Sequence, residues 1–532
     1  MRAWPCTWTT SRAQGARVAE ETPLAAPATV IRGVTILDPE AADRPFQADL
    51  SIVGKHIGRI IPHGTAPPPP ATARVVDGSR WLAVPGLVNA HYHSHDVLLK
   101  GSFDVMSLER WTFRALPRYF PPRSDDELRL RTLVGAAECL LGGITTVQDM
   151  LSLWPLDRRQ IEVVRRAYED AGLRVVLGMQ VADVGALDTM PFLRDILPAE
   201  AAALAAGPPP PAGMRDAVAE MADILAAHPA RDDDRLGWAV CPSSPERCGP
   251  ALLTALRDLA SEHGRRMFSH VAISRMEAVA ARELFKADGG SPIRYLARLG
   301  LLGPQLTLAH GVWLDRRDMA MLAKSGTRMV LNPMSNLKTK NGIAPLRRYL
   351  DHGVGVALGC DNCSCSDAQN MFQAMKLAVL QAAVTDHDEG PPHAADALRA
   401  ATLGGARALG LEQDIGRLAE GRKADITFLD LRDPVYLPLN DAARQVVFGE
   451  SGRGVAAVMV DGRMLVENGR LASIDLETVR RELAGHLPVL ERDARVAAAR
   501  AARLDPYLRL AHERALGVKL GMRRFAELAS RG

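Results

Sequence analysis

WLAVPGLVNAHYH, residues 81–93, is an apolar run that closes on two histidines, and seven more short apolar runs follow it. They are TTVQDM (145–150), RVVLGMQV (174–181), LGWAVCP (236–242), RRMFSHVA (265–272), LTLAHGVW (306–313), RMVLNPMSN (328–336) and GVALGCD (355–361). Longer stretches of helical texture separate them. Apolar runs alternating with helices mark βα units around a parallel sheet, and eight such units predict an α/β fold, a (β/α)8 barrel of TIM type. A doubly wound open sheet would show fewer strands and a glycine-rich phosphate loop after the first. No such loop is visible here.

The polar residues of these runs are ordered. His91, His93, Asp149, His270, His310, Asn332 and Asp361 all fall at or near the C-terminal ends of their strands, the end at which barrel enzymes carry their chemistry.

Outward from the barrel, expected over 85–414, the texture changes. Residues 29–84 and 415–472 alternate apolar and polar residues in short runs bounded by Gly, Pro and Asp, which predicts a small β-sandwich built from both chain ends. APPPPATA at 66–73 reads as an extended surface connection, and Asp461-Gly462 as a type I′ hairpin turn. Residues 473–532 are rich in Ala, Arg, Leu and Glu and predict an amphipathic helical extension on the outside. Residues 1–28 form a ragged N-terminal extension without the apolar core of a signal peptide.

Composition narrows the class of function. The 532 residues carry 65 Lys plus Arg against 62 Asp plus Glu, a balance that gives no reason to expect a nucleic-acid or membrane partner. No run of about 18 apolar residues exists to span a bilayer. Seven cysteines, three of them at 360, 363 and 365, suit a reduced, cytoplasmic protein.

His91 and His93 sit two residues apart, so on a strand both imidazoles share one face and can chelate one ion. An HxH pair alone is weak evidence; its company is stronger. His270 and His310 end two later strands and Asp361 ends the last, and converging N and O donors suit Zn2+, with Fe2+ or Mn2+ compatible.

At these residues the chain resembles a known family. PGLVNAHYHSH (85–95), LAHGVWL (308–314), NPMSNLKTKNGIAPL (332–346), ALGCDNCSCSDAQNMFQAMK (357–376) and ATLGGARALGL followed by GRLAEGRKADI are similar to the amidohydrolase superfamily. The branch is that of the cytosine, guanine and S-adenosylhomocysteine deaminases and the triazine hydrolases, and the likeness covers roughly residues 30–472. It implies one divalent metal ion on His91, His93, His270 and Asp361, with His310 polarising the substrate at the metal. It also implies a homo-oligomer, commonly a dimer. The ion would lower the pKa of water from 15.7 toward about 7, and Asp361 would pass that water's proton onward as a general acid. The activity so implied is hydrolysis of a non-peptide carbon–nitrogen bond in a small, nitrogen-rich, cyclic substrate, foremost a deamination. Cyclic amide, urea, carbamate or halide hydrolysis is the alternative, and a non-catalytic barrel module a remote one.

One position departs from the pattern. Deaminases of this branch keep a glutamate three residues after the third histidine as proton shuttle, and here that position is Ile273. Glu109, Asp149 and Glu277 are candidates to supply a carboxylate if the fold brings one close; otherwise Asp361 handles both protons.

The remaining candidates have plainer readings. Cys360, Cys363 and Cys365 lack the pair spacing of a zinc site and are expected to be reduced packing residues. His95, just beyond the HxH strand, either reaches the mouth of the site or, as expected, is a polar loop residue; His352 is expected as a helix cap and Lys338 toward solvent. Trp111 and Phe113 are placed in a loop that either lines a planar substrate's pocket or buries itself as a lid, and Asn332, Ser335 and Asn336 are expected to fix loop shape.

Overall fold

The computed structural model describes residues 29–525 except 43, 209–215, 230–234 and 386–389. The N-terminal extension expected at 1–28 lies outside the described residues.

Strands β1 (Thr29–Ile36), β2 (Phe46–Val53), β3 (His56–Pro62), β4 (Arg74–Asp77) and β5 (Trp81–Pro85) come first. The barrel strands follow: β6 (Leu87–His93), β7 (Ile144–Leu151), β8 (Arg174–Val181), β9 (Leu236–Pro242), β10 (Arg266–Val271), β11 (Leu306–His310), β12 (Arg328–Leu331), β13 (Val356–Leu358) and β14 (Asp361–Asn362). Every pairing among them is parallel, in the order β13-β12-β11-β10-β9-β8-β7-β6-β14. β13 and β14 are one run broken at Gly359-Cys360. Its first half pairs with β12 and its second with β6, which closes the barrel with eight strands. The break needs glycine, because a Cβ at Gly359 would stand 2.6 Å from Asn332 Oδ1 and 2.9 Å from the His91 backbone nitrogen. Met150, Val176, Ala239, Phe268, Val330 and Ala357 pack in one buried cluster. Strands from all sides of a barrel bring side chains together only in its interior.

Several run boundaries shift for local reasons. The run 81–93 divides at Gly86, and its first half, β5, pairs antiparallel with the late strand β15 (Ile426–Asp430) rather than with the barrel. The run at 306–313 stops at His310, whose φ of 76° turns the chain out of the sheet. The run at 328–336 stops at Leu331, because Pro333 opens the helix Pro333–Lys338.

β15 continues into β16 (Val455–Val460), β17 (Arg463–Glu467) and β18 (Arg470–Leu471). Together with β1–β5 they form a second nine-stranded sheet, ordered β18-β17-β16-β15-β5-β1-β2-β3, with β4 on β1. It encloses a core of its own, including Ile31, Leu50, Ile57, Phe428 and Met459. Arg174, at the start of β8, ties the two bodies together. Its buried guanidinium donates to Asp425 at 2.7 and 3.0 Å and also pairs with Asp461.

The chain ends in the helices Leu476–Ala484, Leu487–Ala502 and Asp505–Gly517. They do not merely coat the outside. Arg110 and Arg114 of the helix Leu108–Ala115 both bind Asp505, and Arg500 donates to the carbonyls of Phe113 and Tyr119. Arg275, opening the helix Arg275–Leu284, donates to the carbonyls of Ala515, Leu516 and Val518. No described helix is long and apolar enough to cross a membrane.

Candidate active site

His91, His93, His270, His310 and Asp361 converge at the C-terminal end of the barrel, each at most 7% exposed. The donor atoms of His91, His93 and His270 lie within 4.8 Å of one another, as do those of His91, His310 and Asp361. Asp361 Oδ1 is 3.4 Å from both His91 Nε2 and His93 Nε2, and His93 Nε2 is 3.3 Å from His270 Nε2. A tetrahedral ion with bonds of about 2.0–2.1 Å requires donor separations of about 3.3–3.4 Å. The cage is therefore the right size for a divalent metal.

Hydrogen bonding fixes which nitrogen faces inward. His93 Nδ1 lies 2.6 Å from the Met150 carbonyl and His270 Nδ1 2.6 Å from the Ser243 carbonyl. A carbonyl only accepts, so each Nδ1 must carry hydrogen, and in neutral rings both Nε2 lone pairs point at one another. His91 Nε2 is buried with no hydrogen-bond partner. Facing lone pairs and an orphaned ring nitrogen are costly in a dry core and fit a cation among them.

Burial disfavours charge on these rings. It holds His91 down at about 4, and with the neighbouring His91 and His93 it keeps His270 well below the usual histidine range. Burial would raise the Asp361 carboxyl, but His310, His91 and His93 hold it well below the ordinary value. His93 differs: burial would lower it too, but Asp361, with Asp96 and the Met150 carbonyl, raises it above the usual histidine value. The cluster thus presents neutral imidazoles at His91, His270 and His310 beside a carboxylate, the forms that bind a metal.

A second layer orients the first. Ser335 Oγ donates to Asp361 Oδ2 at 2.5 Å, and His310 Nδ1 sits 2.9 Å from Asn336 Oδ1, leaving Nε2 3.7 Å from Asp361 Oδ2. Both residues belong to the short helix after β12, so these two polar residues, expected to fix loop shape, also aim the site. His310 and Asp361 hold φ of 76° and 65°, left-handed backbone that non-glycine residues adopt only where surroundings enforce it.

The cavity above the cluster is lined by His93, His270, His310 and Asp361 together with Glu109, Trp111, Gln180, Arg247, Ile273, Glu277 and Cys365. Trp111 enters the pocket from the helix Leu108–Ala115 rather than from a loop, and donates Nε1–H to Ser364 Oγ at 2.8 Å. Phe113, on the same helix, packs with the C-terminal helices instead. His95 is not a mere loop residue: it is buried and lines the same cavity. Lys338 is not turned to solvent but pairs with Asp367 and donates to the Ser364 carbonyl. His352 caps its helix, bonding the Arg348 carbonyl. Cys360, Cys363 and Cys365 are free and buried, and no described metal cluster includes them.

The three candidate carboxylates separate cleanly. Asp149 does not line the cavity; its oxygens accept from the Ser94 amide and from Tyr168 Oη. Glu277 lines the cavity but is bound to the Ile273 amide at 2.7 Å. Glu109 lines it too, accepting from Ser274 Oγ at 2.6 Å through Oε1. Sequence reasoning missed Glu246: burial, reinforced by the nearby Glu246 carboxylate, pushes the Glu277 carboxyl well up.

Residues 82–465 match the Amidohydrolase family. The chain belongs to the amidohydrolase family. This amidohydrolase is 32% identical over 401 residues to the 5'-deoxyadenosine deaminase of Methanothermobacter thermautotrophicus, spanning 75% of this chain and 86% of that one. It is also 32% identical over 396 residues to the 5-methylthioadenosine/S-adenosylhomocysteine deaminase of Thermococcus onnurineus, spanning 74% and 84%. Among solved structures, an adenosine deaminase from Xanthomonas campestris with bound zinc shares the fold at TM-score 0.75 and 24% identity, over 90% of this chain and all of that one. A mutant of the atrazine chlorohydrolase of Arthrobacter aurescens, complexed with zinc and atraton, aligns at TM-score 0.74 and 25% identity, over 86% and 99%. The amidohydrolase described here is accordingly a metal-dependent hydrolase of carbon–nitrogen bonds acting on a small molecule.

Proposed function

We propose that this amidohydrolase is an aminohydrolase that replaces the amino group of a nitrogen heterocycle by oxygen and releases ammonia, with adenine-type nucleosides the first class to examine. The observation that carries the reading is the convergence of His91, His93, His270, His310 and Asp361 at one buried point, beneath a cavity with an aromatic wall at Trp111. Its relatives at 32% identity are named as deaminases of such nucleosides.

His91, His93, His270 and Asp361 would hold the ion, and zinc fits their donor set and spacing best. When bound, the ion acidifies water from 15.7 toward about 7 and supplies the nucleophile at neutral pH. Asp361 moves a proton: Oδ1 faces the cage while Oδ2 is steadied by Ser335. His310 Nδ1–H donates to Asn336 Oδ1, which leaves Nε2 of the neutral ring as an acceptor that orients the O–H of the attacking water. Trp111 stacks on a planar ring, and the buried walls exclude bulk water.

The test is ammonia release by protein of measured zinc content across aminopurine nucleosides, aminopyrimidines and aminotriazines, with mass spectrometry of the same samples. A product about 1 Da heavier than substrate, as NH2 becomes OH, is the expected result. Zinc-replete protein that releases no ammonia overturns deamination. It would favour amide, urea or halide hydrolysis, to which Ile273 lends weight because an alkyl side chain carries no proton.

A further inference from the structure

Deamination of an amidine-like N=C–NH2 unit by water moves two protons. The water oxygen bonds to carbon and the C–NH2 bond breaks. One water proton ends on the ring nitrogen, and the other leaves with the amino group as ammonia. One carboxylate held in the metal cage does not easily serve both nitrogens, so the chemistry calls for a second proton carrier on the cavity wall.

We propose that Glu109 is that second group, carrying one water proton to the ring nitrogen while Asp361 carries the other to the departing amine. The assignment rests on the deaminase reading above. Glu109 comes from the helix Leu108–Ala115 after the first barrel strand, yet its side chain crosses to the loop after β10, where Oε1 accepts from Ser274 Oγ at 2.6 Å. Ser274 directly follows Ile273, so the carboxylate stands beside the residue that closes the cavity without chemistry. Glu109 is 4% exposed, and its Oε2 has no hydrogen-bond partner. A buried carboxylate oxygen without a partner costs free energy unless a ligand supplies a donor. Glu277 also lines the cavity and takes the Ile273 amide through Oε2, but unlike Glu109 it has no fully buried oxygen without a partner, and Asp149 is bound to Ser94 and Tyr168 away from the cavity.

The anchoring fits the role. Ser274 holds Oε1 and caps the helix Arg275–Leu284, so the working oxygen is fixed without being used up. The helix that carries Glu109 is pinned from behind by the Arg110 and Arg114 bonds to Asp505. Glu109 begins and ends the cycle as a carboxylate, so atoms and charge balance without a further reactant.

The experiment uses full-length zinc-loaded protein, with metal content measured for each variant. The substrate is the neutral amino-heterocycle that wild type turns over fastest, compared with its ring-N-methylated cation, which needs no ring proton. Glu109→Gln should keep its zinc and lose about 10²–10⁴ in kcat on the neutral substrate, but less than about tenfold on the cation. Adding Ile273→Glu to Glu109→Gln should restore at least about tenfold, because it returns a carboxylate to the same wall. Equal losses on both substrates, or a loss below tenfold on the neutral one, overturn the assignment.

A second arm does not depend on turnover. Calorimetry with inosine, a lactam whose ring N–H can donate to Oε2, should show binding weakened about tenfold by Glu109→Leu, which removes the acceptor, a loss of about one hydrogen bond. N1-methylinosine should bind both proteins alike. If wild type releases no ammonia the deaminase reading fails, while this arm still decides Glu109: no difference between variants, or no inosine binding, overturns it.

Discussion

His93 Nε2 and His270 Nε2 face each other at 3.3 Å, each ring held in place by a backbone carbonyl on its far side. With both rings neutral, two lone pairs at that separation repel unless a cation lies between, so metal content should depend on both. His93→Ala and His270→Ala are each expected to abolish metal retention, read by elemental analysis, and turnover with it. Asp361→Asn should retain part of the metal and lose at least about a hundredfold in kcat. Retained activity in Asp361→Asn would remove the proton-transfer role.

Asn336 meets the histidine cluster at His310, with 2.9 Å between Oδ1 and Nδ1. Asn336→Ala frees the ring to rotate, and an orienting partner of this kind is worth about 10–100-fold. The expected signature is a fall in kcat with metal content and KM nearly unchanged. Loss of metal instead would place Asn336 in support of the cage as a whole.

Arg174 is 2% exposed and answers two buried aspartates, Asp425 and Asp461. Arg174→Met leaves both carboxylates uncompensated, which costs about 3–5 kcal/mol. The denaturant midpoint should fall accordingly. An unchanged midpoint would mean that water reaches the two aspartates.

Burial pushes the Glu246 carboxyl from its ordinary 4.5 up to about 7. Between those values the folded protein binds more protons than the unfolded chain, so this group's share of stability is full below about 4.5 and is lost as pH rises through about 7. Glu246→Gln should therefore raise the melting temperature at pH 8 and leave it nearly unchanged near pH 4.5. An equal shift at both pH values would assign the effect to packing.

Much of this architecture is written in local pattern. The runs at 174–181 and 236–242 coincide with β8 and β9, because an apolar segment flanked by helices has few other ways to bury itself. HxH spacing on a strand and single histidines at later strand ends make the cluster legible from residues alone. What stays hidden is long-range. Nothing near Asp505 announces that it binds Arg110 and Arg114, so the last helices read as a coat rather than a brace. The same holds for Glu109, Asp149 and Glu277, which spacing could not rank. Their fates are set by Ser274, Tyr168 and the Ile273 amide, partners that only the closed fold delivers.

The second sheet joins a block of early chain to a block of late chain at one seam, with β15 seated against β5. On a ribosome, β1–β5 emerge first and must wait, one edge open, until nearly all of the barrel has been made. Such an edge invites pairing with other chains. Yield in a host cell should therefore hinge on chaperone capacity during synthesis more than on the strength of the finished fold, and a circular permutant opening between β5 and β6 would shorten that wait.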